Sequence, residues 1–299
     1  MKAFPQRLSI LPAAMFALAL TVLGQGETGV ERVDLDQLLA RVSDRVQQYY
    51  TNLLSISWND RVRQEILKED GKQKEKPREL VYDMIIRHQM ATSPDDIAPF
   101  FIREVTDLVS IDGNPAKKGE TAKPDDPRFA SMGSIGFLMT RIREPYRFTY
   151  AGSAELEGRK VLIIDVTSPQ RNPPRVVWKN SFPLPGVMYS FQVLNVQYNT
   201  GRVWVDAETF DVLQLEWKSN PFDFERGKRK FRYETGMTAR FKRVSFDNPD
   251  QTFLVPESLE TFSNMKGGNR FPVVRVKHSF ADFKRFLGDT KIVVIEDKK

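Results

Sequence analysis

The chain has 299 residues, 40% of them hydrophobic and 11% aromatic, with no cysteine and a formal net charge of +6. That content supports a packed core and excludes a disordered chain, and the missing cysteine excludes disulfides, thiolate nucleophiles and Cys-ligated zinc. Basic residues are scattered except between Arg226 and Arg232, with Arg240, Lys242 and Arg243 following, so we expect a solvated basic hairpin and no nucleic-acid partner.

Lys2 and Arg7 precede an apolar run from Leu8 to Leu23, and small residues follow at Gly24 and Gly26. Charge, apolar run and small-residue exit predict a signal peptide over residues 1–26, cleaved near Gly24 or Gly26. The run falls short of the roughly 20 residues that span a bilayer. We therefore expect a periplasmic or secreted protein that is not integral to the membrane after cleavage, with one domain over residues 27–299.

A helix is predicted over 34–54. Asp34 is placed to cap it, Gln37 completes a capping-box pattern, and Leu35, Leu38, Leu39, Val42, Val46, Tyr49 and Leu53 form one apolar stripe. The period then changes to two. Leu54, Ile56, Trp58, Val62 and Ile66 share one phase, and Leu80, Tyr82, Met84, Ile86, His88 and Met90 share another, which predicts an antiparallel hairpin with one buried face. A third strand, from about Phe100 to Ile111, ends at the turn Asp112–Gly113.

Residues 116–127 are rich in Lys, Asp, Pro and Gly and read as an exposed loop. A second, poorer amphipathic helix is expected over 128–143, with Gly133 and Gly136 inside it. Phe148 and Tyr150 restore the period of two, and Val161–Val166 is apolar in both phases apart from Asp165. Five prolines between Pro169 and Pro185 mark an irregular insert, read as a flap. Long strands follow, with Val203 and Val205 before a turn at about 206–211 and Leu213, Leu215 and Trp217 in phase after it. Further strands over 231–246, 253–262 and 271–286, and a closing strand near Ile292–Ile295, bring the expected total to nine or ten, with two helices. The fold class is mainly β: a strongly curved antiparallel sheet forming an unclosed β-barrel, with helices on its concave side.

The segment Gly201-Arg-Val-Trp-Val-Asp206-Ala-Glu-Thr-Phe-Asp-Val-Leu213 resembles the central hairpin of the periplasmic lipoprotein-carrier (outer-membrane lipoprotein-sorting) superfamily. The resemblance implies an unclosed barrel with helices as a lid over a cavity for acyl chains. The chain departs from the superfamily's pattern at Phe210, where relatives usually place Gly, and it is longer than a typical carrier.

Catalytic signatures are thin. The two histidines, His88 and His278, both fall in apolar phases, and no zinc-protease, nucleophile-elbow or nucleotide-binding motif is present. We expect no cofactor, no metal and no enzymatic activity. The pairs Asp95–Asp96 and Asp125–Asp126 read as solvated or turn-capping carboxylates. Asp60 and Asp165 sit among apolar residues and each needs a partner, an Arg first of all, or a wet cavity.

Candidate cavity residues are Trp58, Val62, Tyr82, Met84, Ile86, Phe148, Tyr150, Leu213, Leu215 and Trp217, which read equally well as solid core. The expected function is binding of a lipid, a lipoprotein acyl chain or another hydrophobic ligand beneath the first helix. The alternative is an envelope interaction protein with a solid interior, docking a protein partner through a sheet edge or the basic hairpin. A hydrolase using His88 or His278 is the least favoured reading.

Overall fold

The computed structural model describes residues 33–68, 71–89, 101–123, 126, 132–168, 173–179, 190–194, 198–226, 228–247, 250–267 and 273–286. The expected signal peptide, Asp95–Asp96, Asp125, the strand near Ile292–Ile295 and most of the Pro169–Pro185 insert lie outside them.

One α-helix opens the described chain, α1 (Leu35–Leu53). The Asp34 carboxylate accepts the backbone N–H groups of Asp36 at 3.0 Å and Gln37 at 3.1 Å, satisfying two of the donors a helix start leaves open. The expected stripe is buried from Leu38 to Leu53, joined by Ser43 and Tyr50.

Fourteen strands follow among the described residues: β1 (Ile56–Leu67), β2 (Arg78–Gln89), β3 (Phe101–Ile111), β4 (Asn114–Pro115), β5 (Arg147–Leu156), β6 (Arg159–Thr167), β7 (Arg175–Lys179), β8 (Ser190–Leu194), β9 (Tyr198–Asp206), β10 (Val212–Ser219), β11 (Phe222–Arg226), β12 (Arg229–Phe246), β13 (Gln251–Lys266) and β14 (Val273–Arg285). Twelve of them form one antiparallel sheet in the order β4-β3-β2-β1-β14-β13-β12-β10-β9-β6-β5, with β11 paired to β12 off that path. The sheet is not closed, since β4 and β5 stand at its two ends. The unclosed antiparallel sheet is the expected fold class.

The strand total exceeds the expectation because β4, β7, β8 and β11 are short hairpin partners of two to five residues. Within the Pro-rich insert, Arg175–Lys179 pairs with Ser190–Leu194 as a separate two-stranded sheet. Among the described residues of the second expected helix, Met132–Leu138 is helical, as a 3-10 segment and not an α-helix. Gly136 lies inside it against α1, where a Cβ would sit 3.3 Å from the Tyr50 hydroxyl. The segment is pinned next to α1 by Thr140, whose N–H and hydroxyl reach the Ser43 hydroxyl at 2.9 and 3.0 Å.

The core lies between α1, the 3-10 segment and the inner face of the sheet, with Val42, Leu53, Ile56, Val62, Leu80, Met84, Ile135, Leu138, Ile164, Val203, Val205, Leu215 and Val255 sealed from solvent. Gly201 faces Trp217 across β9 and β10, and a Cβ at that position would come within 2.7 Å of the indole. Gly201→Ala should therefore overpack the core and cost about 1–3 kcal/mol, read as a lower urea midpoint.

Candidate functional site

The candidate cavity residues fall into two groups on the inner face. Trp58, Val62, Tyr82, Met84 and Ile86 come from the paired strands β1 and β2, and all are at most 4% exposed. Leu215 and Trp217 come from β10, and Phe148 and Tyr150 from β5 pack partly buried against the same cluster. Phe137 joins the second group, edge-on to Trp217 at 4.9 Å and stacked on Phe148 at 6.4 Å. Leu213 stands apart. A bulge between Val212 and Gln214 turns Val212 into the core, and Leu213 lines a separate cavity of about 280 Å³ with Arg159, Arg240 and Arg243.

Beneath α1 the interior is filled by these side chains. The indole N–H of Trp58 is buried without an acceptor among the described residues. Trp58→Phe is therefore expected to cost under about 1.5 kcal/mol, because no hydrogen bond is lost with the nitrogen. Trp58→Glu should unfold the protein, since a carboxylate at a 2% exposed position has no water to solvate it. Thermal melts of the two variants check both expectations.

A larger space opens at the β2–β3 end of the sheet. It is a half-open cavity of about 520 Å³, lined by Tyr82, Asp107 and Leu108 of the sheet and by the 116–123 loop, whose Ala116 and Ala122 add to its apolar surface. The register pairs Tyr82 with Leu108, and the bulge opposite Val81 and Tyr82 leaves Val109 exposed on the way to the turn. Asp112 (φ 50°) and Gly113 (φ 84°) make that turn, both in the left-handed region a tight hairpin needs.

The loop is strapped by one arginine. Arg78 donates from Nε to Asp126 at 2.8 Å and also pairs with Asp112. Asp126 accepts the N–H of Lys123 at 2.9 Å, and Lys117 N–H donates to Glu120 at 2.8 Å, so the 117–126 loop is closed on itself. Burial pushes the Asp126 carboxyl up, but the Arg78 hydrogen bond and the Lys123 N–H outweigh it and hold the group below its ordinary value. The depressed value means that the strap stabilises the fold above the usual carboxylate range and is lost as pH falls through the folded value. Acid titration followed by hydrogen exchange should therefore loosen 117–126 below the ordinary carboxylate range, and Arg78→Ala should move that loosening to higher pH.

The expected partners of the inward carboxylates are corrected in one case. Asp165 meets Arg202, at 2.6 and 2.9 Å, on the outer face. Asp60 meets an imidazole: it is fully buried on β1, and His278 Nδ1 on β14 lies 3.0 and 3.2 Å from its two oxygens. His278 is buried and paired with Asp60, and the side chain of His88 lies outside the described residues. Among the described residues no cluster of three or more His, Asp or Glu is placed to hold a metal ion.

Sequence reasoning missed two groups. Asp211, 1% exposed, joins Arg45 Nε of α1 at 2.7 Å to Arg243 Nε of β12 at 2.8 Å. The preceding Asp206 carboxylate caps the turn by accepting the N–H groups of Glu208 and Thr209 at 3.0 and 2.9 Å. Burial raises that carboxyl, and those N–H donors with Arg159 bring it below its ordinary value. Phe210, the residue standing where the resembled hairpin usually carries Gly, has φ 62°. Arg41 of α1 lies 4.8 Å over its ring, so the strained aromatic holds the helix to the turn. Phe210→Gly should be close to neutral in stability, because relief of strain offsets the lost packing, while α1 amides exchange faster.

Three solved structures align with most of this chain at low identity. A DUF1329 family protein from Desulfovibrio piger aligns at 10% identity and TM-score 0.38, covering 86% of this chain and 95% of that one. An outer membrane lipoprotein-sorting protein domain from Vibrio parahaemolyticus aligns at 11% and 0.34, and a LolA superfamily protein from Nitrosomonas europaea at 12% and 0.32, each covering 83% of this chain and 93% of its own. No family model matches the chain, and no curated protein matches it. No helix among the described residues is long and apolar enough to cross a membrane.

Proposed function

We propose that the chain is an exported, periplasmic, non-enzymatic protein that binds a hydrophobic ligand, and that the ligand enters at the β2–β3 end of the sheet. The observation that carries this reading is the cavity of about 520 Å³ lined in part by Tyr82, Leu108, Ala116 and Ala122. Its size lies within the roughly 300–1,000 Å³ of small-molecule pockets. Tyr82 belongs both to its lining and to the core beneath α1. Trp58, Val62, Met84 and Ile86, on the same paired strands as Tyr82, then form the apolar core behind it. Each ligand methylene moved into the cavity leaves water at about 0.8 kcal/mol.

Fluorescence of a neutral apolar probe, N-phenyl-1-naphthylamine, tests the proposal. Saturable enhancement with the wild-type protein, abolished by the cavity-filling change Ala122→Trp with an unchanged melting temperature, is the expected result. Enhancement that Ala122→Trp leaves intact would remove the cavity from the account.

The filled interior beneath α1 favours a second reading, an envelope interaction protein. Its docking element would be β5, whose outer edge pairs with no strand among the described residues.

A further inference from the structure

The loop lining the β2–β3 cavity carries three lysines, Lys117, Lys118 and Lys123, within seven residues of one another. All three are exposed, and none forms a salt bridge among the described residues. Two acids, Asp107 and Glu120, also line the space, against the three lysines. Glu120 accepts the Lys117 N–H at 2.8 Å, folding its carboxylate onto the loop's own backbone. Asp107 sits opposite Asp83 in the register, in the strand phase that alternates with Tyr82 and Leu108. Asp83 and Asp107 feel each other, since Asp107 is among the charges that raise the Asp83 carboxyl, after burial as the largest cause. Lys117 and Lys118 thus have no carboxylate partner among the described residues, Lys123 also acts on Asp126, and the three lysines outnumber the two acids around Tyr82, Leu108, Ala116 and Ala122.

We propose that this cavity selects amphiphiles with an anionic head group, the acyl chain lying against its apolar lining and the carboxylate or phosphate meeting Lys117, Lys118 and Lys123. The inference rests on the hydrophobic-ligand reading and adds the charge of the ligand's polar end. Lysine ammoniums are compact point charges on flexible stems, so they suit a head group of either geometry. They also lie over apolar surface with the charge kept in water, which is where an amphiphile places its own boundary. A neutral chain of equal length gains the apolar lining but not the lysines.

The test uses the full purified chain with four probes: palmitate, lysophosphatidic acid of the same chain length, 1-hexadecanol, and inorganic phosphate. Each is titrated against the wild type and the triple variant Lys117→Gln, Lys118→Gln, Lys123→Gln, whose exposed positions leave folding intact, as circular dichroism checks. The expected result is that palmitate and lysophosphatidic acid bind about tenfold more weakly to the variant, while hexadecanol binds both proteins alike. The charged probes should also weaken with added salt in the wild type alone. Equal binding of charged and neutral probes by both proteins would overturn the head-group assignment and leave the hydrophobic-ligand reading standing. Tight binding of phosphate without a chain would overturn it in favour of a free anion. Failure of all chain-bearing probes on the wild type would overturn both.

Discussion

Asp211→Ala is expected to lower stability by about 3–5 kcal/mol, as for removal of one partner from a buried ion group. The carboxylate is 2% exposed and serves two guanidiniums, Arg45 from α1 and Arg243 from β12. Without it, two partly exposed guanidiniums lose their shared buried anion, and among the described residues the direct ionic tie between α1 and the β9–β10 turn is gone. Arg45→Met should cost far less, about 1 kcal/mol, because Arg45 is 37% exposed and the Asp211–Arg243 pair survives. Urea unfolding separates these outcomes: a large fall in midpoint for Asp211→Ala, a small one for Arg45→Met, and the same slope for both. Comparable losses in the two variants would show that the helix is held by packing alone.

The second large effect is expected at the inner face between β1 and β14. His278→Leu takes the imidazole away from the fully buried Asp60 carboxylate and should cost about 3 kcal/mol or more. The double change Asp60→Leu with His278→Leu should recover most of that loss. It replaces a desolvated pair by apolar groups beside Val62 and Phe280, which already belong to the core. The coupling energy from the four proteins measures the pair. A double variant as unstable as His278→Leu would show that the polar pair specifies the β1–β14 register.

Much of this architecture was legible along the chain, and the reason is locality. The α1 stripe, the Asp34 cap and the Asp112–Gly113 turn depend on residues within a few positions of each other, so spacing alone reveals them. Asp60 was legible as a misfit in an apolar phase, but its partner was not, because the contact closes over 218 residues of chain. The missed bulge at Val212 follows from the same limit, since alternation on one strand carries no sign of an extra residue set by its neighbours. The cavity was hidden for a related reason. Residues 116–127 read as a solvated loop, and what folds them over Tyr82 is Arg78, 48 residues before Asp126. Gly136 was legible as a poor helix former, though the close approach to Tyr50 behind it was not.

The central claim is that the β2–β3 cavity holds a hydrophobic ligand, and the most direct measurement is the cargo of the protein as its host makes it. The full chain and its Ala122→Trp variant would be purified from the producing cells without detergent, extracted with organic solvent and compared by mass spectrometry. The account predicts a lipid at near-stoichiometric amount in the wild type, carrying an acidic head group, and its absence from the variant. A wild-type protein that is folded, stable and free of any such molecule would contradict it.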